Sequence, residues 1–450
     1  MRIATLMLAL LTGAILVGGC HAEKVAPDVL LVVVDTLRPD FLGAYGFEYP
    51  TSPNFDALAA KGVVFERALA ASGKTAPSHA SIMTSRWVNE HSIGAINGTT
   101  RLDGEKTLAM YFKDSGYDTA AFIGNIVLRR RIGLDAGFDV YDDNLPDVER
   151  NRSDVFERTA PKTTARAVQW LSRRGDRPWF LWVHYQDPHG PYTPPASYSA
   201  RFAGLASAKE DPLPVLASNL GRWGIPAYQV LDGLRRPGEY RSRYAGEIAF
   251  FDESLGKLLQ SAHRPGRPLV IAVTADHGES MGEGGYFFGH GQTTTPDIAR
   301  IPLLLNAPGL APARRSELVS HVDILPTLLE LAGLPVPVGA RGLALGALIR
   351  AGSSIPERIL YTDVGNDVAA YRGDHFERYW RVPGQKRAVG GSFIWHGGSR
   401  WEHGPGDLEL RGALNAYVSS RRPVHFLKKK FDAVEIKRLR ALGYVEPESK

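Results

Sequence analysis

A run of small hydroxyl residues with a Lys and a His is the first stretch of this sequence with chemical potential. It spans residues 73–79 (GKTAPSH) and leads into an apolar run that is typical of a helix start. The Thr75 hydroxyl would then lie where helix N-terminal amides favour negative charge, which suits a nucleophile acting on an anion. The hydroxyl residues are equally interpretable as helix caps. Lys74 has two open roles, neutralising a bound anion or facing solvent.

Two predicted strands end in residues that bind metals. The apolar run 28–34 is followed by Asp35, and the run 271–275 is followed by Asp276 and His277. Because ligands bind at the carboxyl ends of strands in α/β sheets, these side chains and Thr75 are expected in one crevice. Taken singly, each Asp is also explained as a cap and each His as a satisfied polar group. Together they form a plausible ligand set for one divalent ion, with the imidazole favouring Mn or Zn while Mg and Ca stay open.

The rest of the chain alternates helices and strands that would position these residues. The apolar runs are near-continuous, as in strands covered on both faces. Residues 194–237 are rich in Pro and Ala and are interpreted as an insertion or lid over the site. From about residue 346 the pattern changes to shorter Gly-rich and aromatic segments, which predicts a smaller antiparallel piece. The predicted elements are strands at 28–34, 63–68, 118–123, 179–185, 271–275, 301–305 and 318–320 and helices at 52–62, 78–84, 107–115, 163–173, 240–260, 325–331 and 428–442.

Composition limits the possible partners. With 450 residues and 44% hydrophobic content, the chain can bury a large core and hold a main and a smaller domain. The formal charge of +5 is modest, and the Lys and Arg residues are scattered. We therefore expect no nucleic-acid partner, whereas an anionic substrate or a phospholipid surface remains compatible with the charge.

The N-terminus predicts export and a membrane anchor. A positive start precedes the apolar run 3–17, and small residues lead to Cys20, the only Cys in the sequence. This arrangement resembles a bacterial lipobox, which implies a signal peptide over residues 1–20, cleavage before Cys20 and lipidation of that residue. An ordinary signal peptide with an incidental Cys is the alternative. His21 after the Cys favours the outer membrane, so we expect a lipid-anchored protein of the cell envelope, at the outer membrane or the periplasmic face.

Seven short motifs, taken in order, resemble those of the sulfatase family in the alkaline phosphatase superfamily. The likeness covers about Val29 to Gly342. It implies a three-layer α/β/α sandwich around a mostly parallel sheet, with a catalytic domain at 27–345 and a smaller C-terminal α+β subdomain at 346–450. It also implies a divalent metal and chemistry at a sulfate or phosphate ester. The motifs are at residues 34–40 (VDTLRPD), 43–46 (GAYG), 51–54 (TSPN), 75–79 (TAPSH), 116–119 (GYDT), 276–279 (DHGE) and 322–327 (VDILPT).

The resemblance also implies roles for individual residues. Thr75 stands at the position of the nucleophile, and Thr36 stands where many members have a second metal-binding Asp. His189 and His290 resemble groups that bind the ester or protonate the leaving group. The expected metal ligands are Asp35, Thr36, Thr75, Asp276 and His277; the expected catalytic residues are Thr75, His189 and His290; the expected substrate contacts are Lys74, His79 and Asn125.

The nucleophile position departs from the family pattern. Sulfatases carry a Cys or Ser there, which is oxidised to formylglycine, and an Arg where this chain has His79. Oxidation of Thr75 would give a ketone, so formylglycine is excluded. A threonine ester must be resolved by a second attack at sulfur or phosphorus, which fits phosphoryl turnover more easily.

These observations support a leading hypothesis and two alternatives. The leading hypothesis is a metal-dependent hydrolase that cleaves sulfate or phosphate esters of a glycan, a lipid or a small molecule through Thr75. One alternative is a phosphotransferase, similar to phosphoethanolamine or phosphoglycerol transferases, that acts on envelope lipids or glycans. The other is a non-catalytic binding homologue.

Overall fold

The structure is a computed structural model that describes residues 25–91, 93, 100–102, 104–381 and 388–421. The predicted signal peptide with Cys20 and the predicted tail helix at 428–442 lie outside these residues. Within the described residues, no helix combines the length and hydrophobicity needed to cross a bilayer.

The helices and strands follow the predicted alternation, with some shifted ends. The strands are β1 (Asp28–Val34), β2 (Val63–Leu69), β3 (Asp118–Phe122), β4 (Val140–Asp142), β5 (Asp147–Glu149), β6 (Arg152–Glu157), β7 (Trp179–Tyr185), β8 (Leu269–Ala275), β9 (Ser280–Met281), β10 (Phe287–Gly289), β11 (Arg300–Asn306), β12 (Ala313–Arg315), β13 (Val319–Ser320), β14 (Leu360–Asp363), β15 (Asp367–Arg372), β16 (His375–Trp380), β17 (Val389–Trp395) and β18 (Trp401–His403). The helices are α1 (Pro53–Ala59), α2 (Thr75–Thr84), α3 (Val88–His91), α4 (Leu108–Asp114), α5 (Ala160–Leu171), α6 (Ala196–Ser199), α7 (Pro237–Ala262), α8 (Pro296–Ala299), α9 (Ile324–Leu331), α10 (Leu345–Arg350) and α11 (Leu408–Ser419).

The main sheet is mostly parallel, as predicted. In the described part of the chain its strand order is β12-β2-β11-β8-β1-β7-β3-β4, with β13 also paired to β2. Only β11 runs antiparallel to its neighbours on this path. Every residue of β1 and β7 is buried, which explains why their sequences are almost continuously apolar.

Helices pack in two groups around this sheet. Helices α1, α5 and α6 pack on the long helix α7, whereas α2, α4 and α9 contact one another. The three-layer α/β/α prediction is therefore confirmed, together with a separate antiparallel sheet near the C-terminus.

The C-terminal sheet braces the loop that precedes Thr75. It has the order β14-β15-β16-β17-β18, and α11 packs against it. The Thr362 hydroxyl donates to the Ala70 carbonyl at 2.7 Å, and the Ser72 hydroxyl donates to the Asp363 carbonyl at 2.6 Å. The smaller sheet thus helps to fix where helix α2 begins.

The start of helix α2 differs from the prediction. The sequence predicts a helix from Ser78, after Pro77, but the helix begins at Thr75. Proline is tolerated in the first turn because the amide it lacks has no helical acceptor there. Thr75 is therefore the first residue of the helix rather than part of a preceding loop.

Candidate active site

Strand pairing brings the two predicted carboxylates together. Strands β1 and β8 are parallel neighbours, with Val34 opposite Ala275, so Asp35 and Asp276 leave the sheet side by side. Asp35, Asp276 and His277 each offer one ligand atom within 4.8 Å of the others, and all three are completely buried.

The backbone orients Asp276. Its Oδ1 accepts hydrogen bonds from the amides of His277, at 2.8 Å, and Thr36, at 3.1 Å. Thr36 adopts a left-handed conformation with φ of 57°, which is unusual for a β-branched residue. Among the described residues, Oδ2 has no hydrogen-bond partner, and it lies 3.4 Å from His277 Nε2.

Asp35 is held in a similar way. Its Oδ2 accepts a 2.7 Å hydrogen bond from the side-chain amide of Asn125, which follows β3. Its Oδ1 has no hydrogen-bond partner in the part of the chain that the structure describes, and it lies 3.9 Å from His277 Nε2. Each carboxylate is thus fixed through one oxygen and leaves the other oxygen facing the same imidazole.

The Thr75 hydroxyl completes the group. Thr75 is completely buried at the N-terminus of α2, and its Oγ1 lies 3.4 Å from His277 Nε2. In a tetrahedral site with bonds of about 2.0–2.2 Å, neighbouring ligand atoms stand roughly 3.3–3.6 Å apart. The two carboxylate oxygens and the hydroxyl lie 3.4–3.9 Å from His277 Nε2, close to this spacing, so the residues fit the divalent metal that the family implies.

Electrostatics favour the same interpretation. Burial, and then the charge of Asp276, raises the pKa of Asp35 well above its usual value. Burial lowers the pKa of His277 to about 4, so this imidazole is neutral at pH 7. A bound dication would relieve the repulsion between the carboxylates and would bind to the neutral imidazole.

Beside this group lies a polar pocket. His290 connects the two, since its ring centroid is 4.5 Å from that of His277 and 5.1 Å from that of His189. Burial lowers the pKa of Lys74 to about 8 and that of His189 well below its usual value. The pocket is lined by Lys74, Arg152, His189, Asn219, Leu220, Tyr228, Gly289, His290, Gly291 and Gln292.

The segment interpreted as an insertion or lid contributes one wall of this pocket. Asn219, Leu220 and Tyr228 come from it. Its backbone pairs with the chain that leads to His290, because Arg222 forms a bridge with Tyr286 and the Phe287 amide donates to the Gly221 carbonyl at 2.8 Å. The segment therefore packs against the chain that leads to His290 and forms one side of the pocket.

Two of the expected substrate contacts lie elsewhere. His79 is completely buried one helical turn behind Thr75, where Nδ1 donates to the Thr75 carbonyl at 2.8 Å and the ring packs 5.4 Å from Trp182. Asn125 is committed to Asp35. Neither residue lines the pocket. Both residues instead contact the buried carboxylates, since His79 Nδ1 lies 4.0 Å from Asp276 Oδ2 and Asn125 donates to Asp35. Their role in binding substrate stays a prediction.

Thr36 contacts the cluster through its backbone amide, which donates to Asp276. Its buried Oγ1 has no hydrogen-bond partner among the described residues. The expected role of Thr36 as a metal ligand stays a prediction.

Comparison with known proteins agrees with this geometry. The family model described as Sulfatase matches residues 27–334. The chain belongs to the sulfatase family. It is 27% identical over 348 residues to the uncharacterized sulfatase YidJ of Escherichia coli, with 69% of each chain covered. It is 27% identical over 396 residues to the iduronate 2-sulfatase of Mus musculus, with 69% of this chain and 70% of the relative covered.

A solved structure shows the same fold. The phosphonate monoester hydrolase of Agrobacterium radiobacter superposes with a TM-score of 0.64 at 19% identity, over 93% of this chain and 96% of that chain. Because the identity is low, this likeness concerns the fold alone. The predicted family, within the alkaline phosphatase superfamily, is confirmed.

Sequence reasoning missed several residues of this sulfatase-family site. Glu279 belongs to the motif at residues 276–279, but the sequence predicts no role for it. In the structure Glu279 is completely buried, and its Oε1 lies 3.2 Å from His290 Nδ1. His184 lies within the predicted strand 179–185. A single His in a buried apolar run is a sequence signal that could have identified it as a site residue. Arg152 and Tyr228 had no local signal. The Arg152 guanidinium pairs with Glu149 and lies 4.5 Å from the ring centroid of Tyr228.

Proposed function

We propose that this protein is a metal-dependent hydrolase that cleaves sulfate or phosphate esters through a covalent ester of Thr75. The observation that carries the proposal is the position of Thr75 Oγ1, at a helix N-terminus and 3.4 Å from His277 Nε2. Asp35, Asp276, His277 and Thr75 would hold the metal. When bound, a Zn or Mn ion would supply Lewis acidity that lowers the pKa of the Thr75 hydroxyl and offsets the charge of the ester.

The residues around the pocket would perform the remaining steps. The Thr75 hydroxyl releases its proton to solvent, Oγ1 attacks the sulfur or phosphorus atom, and the bond to the leaving alcohol oxygen breaks. Lys74 and the amides at the start of α2 stabilise the anionic oxygens. His290 donates the proton that the leaving oxygen needs, and Glu279 keeps its ring oriented. A water molecule then attacks the threonine ester, which releases the inorganic anion and restores the hydroxyl.

The substrate class rests on two kinds of support. Relatives include proteins named iduronate 2-sulfatase and choline-sulfatase, which support a sulfate ester. A threonine ester, however, is resolved more easily at phosphorus than at sulfur. The proposal therefore covers sulfate and phosphate monoesters and, in addition, phosphonate monoesters, the substrate class named for the structural neighbour.

The decisive experiment compares Thr75→Ala and Thr75→Ser with the parent on p-nitrophenyl sulfate, phosphate and phenylphosphonate, each with added Zn or Mn. We expect Thr75→Ala to lower kcat by about 10³-fold or more and Thr75→Ser to retain activity. Intact mass spectrometry should detect a covalent adduct in the parent and none in Thr75→Ala. Thr84→Ala is the matched control, since this buried Thr ends the same helix and donates to the Ala80 carbonyl.

Other results would change the assignment. Unaltered turnover in Thr75→Ala excludes Thr75 as nucleophile, and a metal-loaded parent without turnover or adduct favours a binding protein. Addition of glycerol or ethanolamine separates hydrolysis from transfer, because a phosphorylated acceptor would identify a transferase.

We also propose that the protein is exported and lipid-anchored through Cys20 in the cell envelope. The support is the sequence of residues 1–20 alone. Labelling with a radioactive fatty acid should modify the parent and not Cys20→Ala, and the variant should move from the membrane to the soluble fraction.

A further inference from the structure

His184 is a completely buried imidazole whose two ring nitrogens have no hydrogen-bond partner within the described residues. Its neighbour His79 lies with its ring centroid 4.9 Å away. His79 donates through Nδ1 to the Thr75 carbonyl, and this tautomer leaves an unpartnered lone pair on the buried Nε2. Because buried polar groups are normally paired, these nitrogens indicate a missing ligand.

Two other buried imidazoles of the described residues, His91 and His321, have hydrogen-bond partners at both ring nitrogens. His91 lies 3.0 Å from the Ser81 hydroxyl and accepts from the Ile93 amide at 3.2 Å. His321 accepts from the Ala71 amide at 3.1 Å and donates to the Ala275 carbonyl at 2.9 Å. The fold therefore supplies partners for buried imidazoles where no ligand is needed, which makes His184 an exception.

These two imidazoles lie beside the carboxylates already described. His79, His184 and Asp276 each offer one ligand atom within 4.8 Å of the others. His184 Nε2 also lies 3.7 Å from Asp35 Oδ2, whereas Asp35 Oδ1 lies 3.9 Å from His277 Nε2. The two oxygens of Asp35 thus lie near two different imidazoles.

We propose a second divalent metal site, formed by His79, His184 and Asp276 and completed by Asp35, behind Thr75. Two imidazoles with carboxylate oxygens suit Zn or Mn better than Mg or Ca. Adjacent metal ions bridged by shared ligands are used by many hydrolytic enzymes. This inner ion would bind Asp35 and Asp276, the two carboxylates that it shares with the site beside Thr75. The inference rests on the proposed function in one respect, because it shares these carboxylates with the metal site proposed there.

Metal content tests the proposal without relying on activity. Full-length protein is stripped with a chelator, reloaded with Zn²⁺ or Mn²⁺, desalted and measured by inductively coupled plasma mass spectrometry. We expect two ions per chain in the parent, about one in His184→Gln, and two in His91→Gln, the control for changing a buried but satisfied imidazole. Circular dichroism and thermal melting establish that each variant is folded.

Anomalous diffraction from crystals of the Zn-loaded parent provides a second readout that needs no variant. A peak between His184 and Asp35, separate from one beside Thr75, supports the proposal. One ion per chain in the parent, or a water molecule at that position, overturns it. The two proposals can fail separately: one ion with full ester turnover removes only the inner site, whereas two ions without turnover or a Thr75 adduct remove only the catalytic function.

Discussion

Asn125 donates a 2.7 Å hydrogen bond from its side-chain amide to Oδ2 of Asp35, and both residues are buried. The other end of the amide accepts from the Val127 backbone at 2.9 Å, so the side chain cannot rotate freely. The loop that follows β3 is thereby hydrogen-bonded to Asp35, the residue directly after β1. Residues that hold metal ligands in position also contribute to metal affinity.

Replacement of Asn125 by Leu should weaken metal binding, because Asp35 loses the bond that orients it. We expect the apparent Zn²⁺ affinity to fall by about 10–100-fold, measured by competition with a chromophoric chelator. Asn306→Leu is the control, since the Asn306 amide bonds to the Lys61 carbonyl far along the chain from the site. An unchanged affinity in Asn125→Leu would show that the bond does not contribute.

Replacement of Glu279 by Gln should affect the leaving group selectively. The carboxylate lies 3.2 Å from His290 Nδ1, so its loss weakens the orientation of the proposed proton donor. We expect kcat to fall about 10-fold or more for an alkyl ester and to change little for a p-nitrophenyl ester, which leaves without protonation. Equal losses on both esters would contradict this role. Glu253→Gln, at an exposed position on α7, is the control.

Glu157 should make stability depend on pH. Burial, with the charges of Glu149 and Asp187, raises the pKa of Glu157 to about 8, against an ordinary value near 4.5. When the pKa of a carboxyl is higher in the folded than in the unfolded protein, the group stabilises the folded state most at pH values below the unfolded pKa. This stabilisation is lost as the pH rises to the folded-state pKa.

Glu157→Gln removes this titration. Its melting temperature relative to the parent should therefore rise between about pH 5 and pH 8 and then level off. Thermal melts at unit steps of pH measure the difference. Glu48→Gln, at an exposed position, should show no such trend; a constant difference for Glu157→Gln would contradict the raised pKa.

Gly278 lies where a side chain has no room. A Cβ there would stand 2.2 Å from the Asp297 carbonyl, so Gly278→Ala must shift the chain directly after His277. We expect the free energy of unfolding to fall by about 1–3 kcal/mol, with reduced metal affinity. Gly412, inside helix α11, has open space around its Cβ. Gly412→Ala should instead stabilise by about 0.5–1 kcal/mol, and urea denaturation of the two variants measures the contrast.

The fold could be predicted from the sequence because it depends on local patterns, and the same patterns predict the metal ligands. Apolar runs that end in Asp35 and in Asp276-His277 indicate buried strands with polar residues at their carboxyl ends. In a parallel sheet the carboxyl ends of the strands lie at one edge, so such residues are expected there whatever the strand order. The predicted helix start at Ser78 was wrong by three residues because Pro77 is compatible with a first turn.

Tertiary structure decided which polar residues lie beside the buried carboxylates and which line the pocket. His79 follows Thr75 by one helical turn, where its ring bonds to the Thr75 carbonyl and packs against Trp182. His184 reaches Asp35 only because β7 pairs with β1, with His184 opposite Val33. Arg152 and Tyr228, far apart in the sequence, line one pocket with His189 and His290.

By itself, then, the sequence determined the alternation of elements, the family and the strand-end residues available for catalysis, since hydrophobic periodicity and short motifs are local. The order of the strands and the docking of distant loops depend on how the whole core packs. Those contacts determine which partner each buried polar group has. They also bring together His79 and His184, a pair that no local pattern indicated.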